Sequence, residues 1–154
     1  LTKHGVGANK SKELYVSPTI PKKLINHYIR GIHCGDGSWT IDKKNNIHFS
    51  IVSSVYSFAE ELKNIIVKEC SANNVKVIPK EGCWGIHWVG NIQCKRIYDY
   101  LYSDGGPWLD RKYELSTKHF NNYDNGIKTR LKEFKPIKEN PKIPSELDRI
   151  LGFV

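Results

Sequence analysis

The sequence predicts an α+β domain with one four-stranded antiparallel sheet whose apolar face is backed by helices. Three segments carry apolar residues at the spacing of a helix. Between them lie two pairs of short segments in which apolar and polar residues alternate, and each pair is interrupted by turn-forming residues. The expected order is therefore helix, hairpin, helix, hairpin, helix, because an alternating sheet has one face that must be covered.

The first predicted helix spans 21–34. Leu24, Tyr28 and Ile32 follow one another there at helical spacing. The residues before it, 1–20, are polar and basic and contain glycine, which indicates an entry segment rather than a core element.

The first hairpin is predicted over 38–51, where apolar and polar residues alternate on both sides of a break at 44–46. Ser57 followed by Glu60 matches a capping box, in which each side chain would bond to the other's backbone N–H. The second helix should therefore begin at this pair and continue to about residue 72.

A second hairpin is predicted from alternation over 75–79 and 84–88, with a turn at 80–82. Pro79 has no N–H to donate, so it should lie on an edge or at a strand end. A third helix follows over 91–103.

We expect a core domain over 21–121 and a basic C-terminal extension over 122–154, where no hydrophobic periodicity is clear. Within this extension, "KTRLKEFKPIKENPK" has the composition of a solvated charge run, and "PSELDRILGFV" suits a short terminal helix.

Composition favours a polyanionic partner. The chain has 154 residues, a formal charge of +8 and 39% hydrophobic residues, which suits a folded basic domain. Among polyanions, nucleic acid ranks first and an anionic membrane surface second, and we expect nucleic acid. No apolar run has membrane-spanning length and no signal peptide is visible, so we expect no membrane partner and an intracellular location. The absence of Met leads us to expect a piece of a longer product or a processed form.

The cysteines form no CxxC pair and no Cys/His metal spacing, which indicates reduced thiols; two disulfides are the alternative. The four are Cys34, Cys70, Cys83 and Cys94.

The polar face of the predicted sheet is a candidate DNA-binding surface. Donors and acceptors on a twisted sheet suit the major groove, where they can distinguish all four base pairs. The alternative is an ordinary solvent-facing surface, because such alternation is common in antiparallel sheets. The candidate residues are Ser38, Thr40, Asp42, Lys44, His48, Ser50, Lys76, Lys80 and His87.

The end of the first helix combines small residues with one acid. Gly31 and Gly35 lie one turn apart and leave a bare stripe that would let another backbone approach; alternatively, Gly35 only ends the helix. Asp36 stands between Gly35 and Gly37, and its carboxylate with nearby carbonyls would suit Mg²⁺ or Ca²⁺. A simple Asp-Gly turn is the alternative reading.

The stretch "HYIRGIHCGDGS" resembles the signature helix of the LAGLIDADG homing endonucleases. The approach "NKSKELYVSPTIPKKLINHYIRG" and the later "GIHWVGNIQCKRIYDYLYSDGGPWLDRKYE" also resemble family segments, so the likeness covers about residues 9–120. It implies an αββαββα unit whose sheet forms a saddle on double-stranded DNA. It also implies that two units pair through their signature helices, as a homodimer or as the halves of one longer protein, of intron, intein or free-standing origin.

The resemblance implies an enzyme, a hydrolase that makes metal-dependent double-strand breaks. Asp36, with the Gly35 carbonyl, would bind Mg²⁺ shared at the interface, and Ca²⁺ or Mn²⁺ could substitute. Lys112, in "WLDRK", corresponds to a basic residue near the attacking water, although a plain surface lysine is the alternative. Ser53 corresponds to a polar residue that orders water.

Cys34 departs from the family pattern, which has an acid two residues before the metal ligand. In the family that acid is mainly structural at the helix interface, so Cys34 puts the interface in doubt more than the chemistry. The departure supports an alternative function, a non-cleaving nucleic-acid-binding protein such as an intron maturase or a degenerate endonuclease acting as a regulator. A basic structural domain without either activity is a third reading.

Overall fold

The predicted order of helices and hairpins is present in the computed structural model, which describes residues 14–133 and the side chains of 14–127. A single 3-10 turn, Lys22–Leu24, precedes the first α-helix. The elements are α1 (Ile25–Asp36), β1 (Gly37–Ile41), β2 (Ile47–Ser53), α2 (Tyr56–Cys70), β3 (Ile78–Lys80), β4 (Cys83–Val89), α3 (Asn91–Tyr102) and α4 (Asp110–Glu133).

The four strands form one antiparallel sheet in the order β1-β2-β4-β3. The two hairpins therefore join through their inner strands, and Phe49 of β2 lies opposite Trp88 of β4. Pro79 lies in β3, an edge strand, as predicted, where its missing N–H removes no bond from the interior of the sheet. The predicted α+β class with a four-stranded antiparallel sheet is confirmed.

The core lies between one face of the sheet and helices α1, α2 and α3. Alternate residues of β1, β2 and β4 point into it, which is the expected consequence of period-two patterning, whereas all three residues of β3 are exposed. Its fully buried side chains include Ile29, Ile47, Phe49, Ile51, Leu62, Ile66, Ile86, Trp88, Ile97 and Leu101.

Arg30 fixes α1 against the end of α3. It is 1% exposed, and its Nη1 donates to the Leu101 carbonyl at 2.6 Å. The same guanidinium contacts the His27 ring and lies 3.8 Å from the Asp104 carboxylate. A buried charge is tolerated only with such partners, so this network holds the position of α1.

The start of α2 differs from the prediction. The helix begins at Tyr56 and is preceded by Val55, with no side-chain cap. Ser57 therefore lies inside the first turn, and Glu60 pairs with Lys63 at 2.8 Å instead of reaching back. The capping-box prediction is wrong because Val55, which has no side-chain oxygen, occupies the N-cap position and Ser57 is already the second residue of the helix.

The chain divides into two compact units after Tyr123. The described residues of the first unit, 14–123, contain the whole sheet, α1 to α3 and α4 as far as the boundary. Those of the second unit, 124–133, are the C-terminal residues of α4. This 24-residue helix was not predicted.

Some sequence predictions lie outside the described residues. They concern most of the entry segment (residues 1–13) and, after Glu133, the rest of the charge run and the predicted terminal helix.

Candidate nucleic-acid interface

The sheet face turned away from the helices carries rows of polar side chains across three strands. Ser38 of β1, Ser50 of β2 and His87 of β4 follow one another in register. The two serine hydroxyls hydrogen-bond at 2.8 Å. Thr40 and His48 form the next row. These five predicted DNA-binding residues lie together because period-two alternation puts them all opposite the core.

His48, His87 and Asp42 are connected by hydrogen bonds. His48 Nδ1 lies 3.0 Å from His87 Nε2, and His48 Nε2 lies 3.2 Å from Asp42 Oδ2. The Asn46 backbone N–H and the His48 ring hold the pKa of the Asp42 carboxyl well below its usual range. Burial, followed by the charges of His48 and Lys80, lowers the pKa of His87.

Asp42 therefore stabilises the β1–β2 turn and also contacts the polar face of the sheet through His48. Its Oδ1 accepts the backbone N–H groups of Lys44 and Asn46 at 2.8 and 2.9 Å. Lys44 lies in this turn, exposed and beyond the strand ends. These bonds fix the turn that the sequence predicted at 44–46.

The basic residues of the second hairpin are placed differently. Lys80 ends β3, and its side chain lies across Gly85, where a Cβ would come 2.7 Å from Lys80 Cε. Lys76 was predicted on the sheet face, but it lies before β3 in irregular chain, so that placement is wrong. The physical reason is that β3 pairs with β4 over only three residues.

Asp36 ends α1, and Lys112 of α4 caps the same end. Lys112 Nζ donates to the carbonyls of His33 at 2.6 Å, Cys34 at 2.9 Å and Gly37. The Cys34 carbonyl is one of the last four of the helix, which lack a backbone partner within it, while the His33 carbonyl also accepts the Gly37 N–H. The ammonium also complements the helix dipole. Burial, and then the charge of Arg111, lower the pKa of Lys112, while Asp36 opposes this shift.

Lys112 is thus only 6% exposed and gives its three N–H donors to the backbone. The sequence interpretation placed it beside an attacking water. In the structure its direct contacts are with the turn that carries Asp36, so it supports the position of this acid.

Asp36 and Ser53 line one shallow cleft of about 240 Å³, together with Val52, Ser54 and Cys83 and two other residues. β1 begins directly after Asp36, and β2 ends at Ser53, so antiparallel pairing brings both residues to one end of the sheet. Two of the three predicted catalytic residues are therefore neighbours, 17 positions apart in sequence.

The donors at this site suit a hard divalent cation only in part. Asp36 is an exposed carboxylate, and the bonds of Lys112 go to carbonyls other than that of Gly35. Within residues 14–127, no group of three or more His, Cys, Asp and Glu side chains is arranged to hold a metal. Mg²⁺ prefers several oxygen ligands and keeps water, so this chain would supply a partial site.

The glycines of α1 lie on its outer face. Among the described residues, no atom beyond the chain neighbours and the helix's own backbone lies within 4 Å of the position that a Cβ would take at Gly31 or Gly35. Leu24 and Tyr28 continue this face, and Leu24 is 42% exposed. The opposite face packs into the domain through Asn26, Ile29, Arg30 and His33.

Cys34 is partly buried on α1, and all four cysteines are free thiols. Burial raises the pKa of Cys70 and of Cys94 to about 12, so both remain protonated near neutral pH.

The sequence interpretation included His48 and His87 but missed their connection. A signal was present: "IHF" at 47–49 and "IHW" at 86–88 repeat one apolar-His-aromatic pattern in the two central strands. The repeat puts both rings on the open face, diagonal to each other in the β2–β4 register.

Searches of protein-family models, of curated proteins and of solved structures find no match to this chain. Among residues 14–133, no helix is long and apolar enough to cross a bilayer.

Proposed function

We propose that this chain is one unit of a site-specific, divalent-metal-dependent DNA endonuclease of the LAGLIDADG type. The observation that carries the proposal is the meeting of Asp36 and Ser53 in one cleft at the end of an open polar sheet. The helix that ends at Asp36 also has an uncovered glycine face. An acid, a hydroxyl and an open binding surface thus lie within reach of one phosphodiester.

Double-stranded DNA is the proposed substrate because the exposed polar face is broad and the chain is basic. The formal charge is +8. Ser38, Ser50 and His87 offer hydroxyl and imidazole groups that suit base edges in the major groove. Lys44 and Lys80, outside the central rows, would bind phosphates and set the register of the duplex.

In hydrolysis, Asp36 and the Gly35 carbonyl would hold a divalent cation at the scissile phosphate. A bound Mg²⁺ supplies an activated water and charge stabilisation for the leaving oxygen. Ser53 would orient the water by a hydrogen bond. Lys112 would keep the end of α1 fixed, so that the Asp36 carboxylate is already positioned when DNA arrives.

A second unit completes the proposed site. One chain offers Asp36 as the acid in the cleft, whereas a double-strand break needs an acid for each strand. Pairing through Gly31 and Gly35 would bring two such acids together, because glycines let two helix backbones approach closely. The second unit would be a copy of this chain or another half of a longer protein.

The test is cleavage of DNA that spans the gene's own insertion site. With Mg²⁺ we expect double-strand breaks that disappear in Asp36→Asn, which keeps the size of the side chain and removes its charge. Asp99→Asn removes an exposed acid on α3 and should cleave like the wild type. Cleavage that persists in Asp36→Asn would refute the proposed role of Asp36.

A non-cleaving nucleic-acid-binding protein is the second candidate. Two observations favour it. Cys34 stands where the family signature has an acid. Lys112 gives its three donors to backbone carbonyls rather than to a reacting water. Tight, salt-sensitive DNA or RNA binding without metal-dependent nicking, unchanged in Asp36→Asn, would support it over the endonuclease.

A further inference from the structure

On the open face, the hydrogen bonds that connect Asp42, His48 and His87 determine which ring nitrogens carry hydrogen. Asp42 Oδ2 lies 3.2 Å from His48 Nε2, and this carboxylate stays ionised, so it can only accept. With both rings neutral, His48 therefore carries its hydrogen on Nε2 and leaves Nδ1 as an acceptor. His48 Nδ1 faces His87 Nε2 at 3.0 Å, so His87 in turn must donate from Nε2.

This arrangement leaves the second nitrogen of His87, Nδ1, without a hydrogen. In the neutral ring, Nδ1 is a bare acceptor. Among the described residues it has no hydrogen-bond partner, and it is not one of the buried unpaired atoms, so it is open to solvent. His87 lies in β4, an inner strand, in the row that it shares with Ser50 and Ser38.

We propose that His87 is a base-reading residue that accepts a hydrogen bond at Nδ1 from the exocyclic amino group of adenine or cytosine in the major groove. Asp42 and His48 act as positioning residues, because they impose the ring form that exposes this acceptor. The inference rests on the proposed function, since it assigns a specificity determinant to the proposed DNA-binding face.

The base-edge chemistry explains why one ring form would be selective. In the major groove, adenine N6 and cytosine N4 are donors, whereas guanine O6 and N7 and thymine O4 are acceptors. A fixed acceptor pairs with the first group and repels the second. A histidine with a free choice of tautomer could satisfy either group, so it would discriminate little.

Protonation would invert the preference. With a hydrogen on both nitrogens, His87 donates from Nδ1, which suits guanine. Protonation of His87 is disfavoured first by burial, and then by the charge of His48 on β2, when the His48 ring is itself protonated, and by that of Lys80 on β3; Asp42 faces His48. The inverted preference should therefore appear only in acidic solution.

The test is selection from a randomised double-stranded DNA library in EDTA, with the full chain, at pH 7.5 and at pH 5.5. We expect the wild type to prefer adenine or cytosine at one position of each half-site at pH 7.5, and this preference to weaken in favour of guanine as the pH is lowered. His87→Ala should lose about tenfold discrimination at that position, the value of one good base contact, and keep the remaining preferences.

Two further variants separate the roles. His48→Phe keeps a ring beside His87 but frees its tautomer, so the preference at that position should weaken. Asp99→Asn alters an exposed residue of α3, outside the sheet face, and should leave that position unchanged. Circular dichroism of each variant establishes that the fold is retained.

The outcomes distinguish the two proposals. Sequence-selective binding that is unchanged at every position in His87→Ala would overturn the role of His87 and leave the DNA-binding function standing. An unchanged preference in His48→Phe would overturn the positioning role of His48. If the wild type enriches no sequence, then the DNA-binding function fails together with this inference.

Discussion

His33 makes the stability of this fold dependent on pH. The ring is fully buried, stacked on Phe49 with centroids 4.7 Å apart, and neither of its nitrogens has a hydrogen-bond partner. Burial, and next the charge of Lys112, lower the pKa of His33 to about 3. The nearby Ser38 backbone acts in the opposite direction on this pKa, but it does not form a hydrogen bond with the ring. The folded protein therefore holds this ring neutral.

The sign of the pH effect follows from linkage. An unfolded histidine has a pKa of about 6.5, so between that value and about 3 the unfolded chain binds a proton that the folded chain does not. The stabilisation from the neutral ring is complete above pH ~6.5 and is lost as the pH falls, at about 1.4 kcal/mol per unit. From pH 7.5 to 4.5 the expected loss is about 2.5 kcal/mol.

His33→Phe tests this value, because phenylalanine fits a site that already stacks on an aromatic ring and brings no titrating group. The measurement is the free energy of unfolding by urea at several pH values. We expect the variant to gain about 2.5 kcal/mol on the wild type between pH 7.5 and 4.5, while Tyr56→Phe follows the wild type. Parallel pH profiles for His33→Phe and the wild type would refute the reasoning.

Three other predictions concern the end and the outer face of α1. Lys112→Met should lower the free energy of unfolding by about 3 kcal/mol, because one buried and two partly buried carbonyls lose a charged donor. The exposed Lys118→Met on the same helix should change it by less than about 0.5 kcal/mol. Equal effects in urea denaturation would contradict the capping role. Gly37→Ala should destabilise by about 2 kcal/mol, because its Cβ would lie 2.2 Å from the His33 ring, while Gly31→Ala, with open space around it, should stabilise the single unit by about 0.5–1 kcal/mol. Gly31→Leu should keep the folded unit but weaken its association with a second unit, measured by sedimentation equilibrium; undiminished association would exclude this face from the interface.

The hairpins were predictable because a sheet with one buried face imposes strict alternation. Trp39, Phe49 and Trp88 stand at core positions, so the residues directly before and after each of them in its strand had to lie on the open face. Pro79 similarly limited β3 to an edge. Patterning of this kind is local, and the sequence displays it directly.

The parts that were missed depend on polar contacts between distant residues. Helix α4 escaped prediction because three of the four residues on its buried face are polar, although they are spaced as in a helix: Lys112, Ser116, His119 and Phe120. Lys112 and His119 have partners outside α4 that hydrophobic periodicity cannot reveal; His119, for example, bonds to Asn91 at 2.8 Å. The placing of Lys76 failed for a related reason, since the length of β3 depends on how far it pairs with β4.

The Lys112 cap also has a consequence for the order in which the protein is completed during synthesis. Lys112 is 79 residues later in the chain than His33, whose carbonyl it caps. On the ribosome, α1 and both hairpins emerge before the ammonium that holds the end of α1 is available. The turn that carries Asp36 therefore acquires its final support only once α4 has begun to form. A nascent chain that stops before α4 would present the acid on a helix end without this cap, so a truncated product should lack the positioned carboxylate that the proposed nuclease activity requires, even where its sheet has folded.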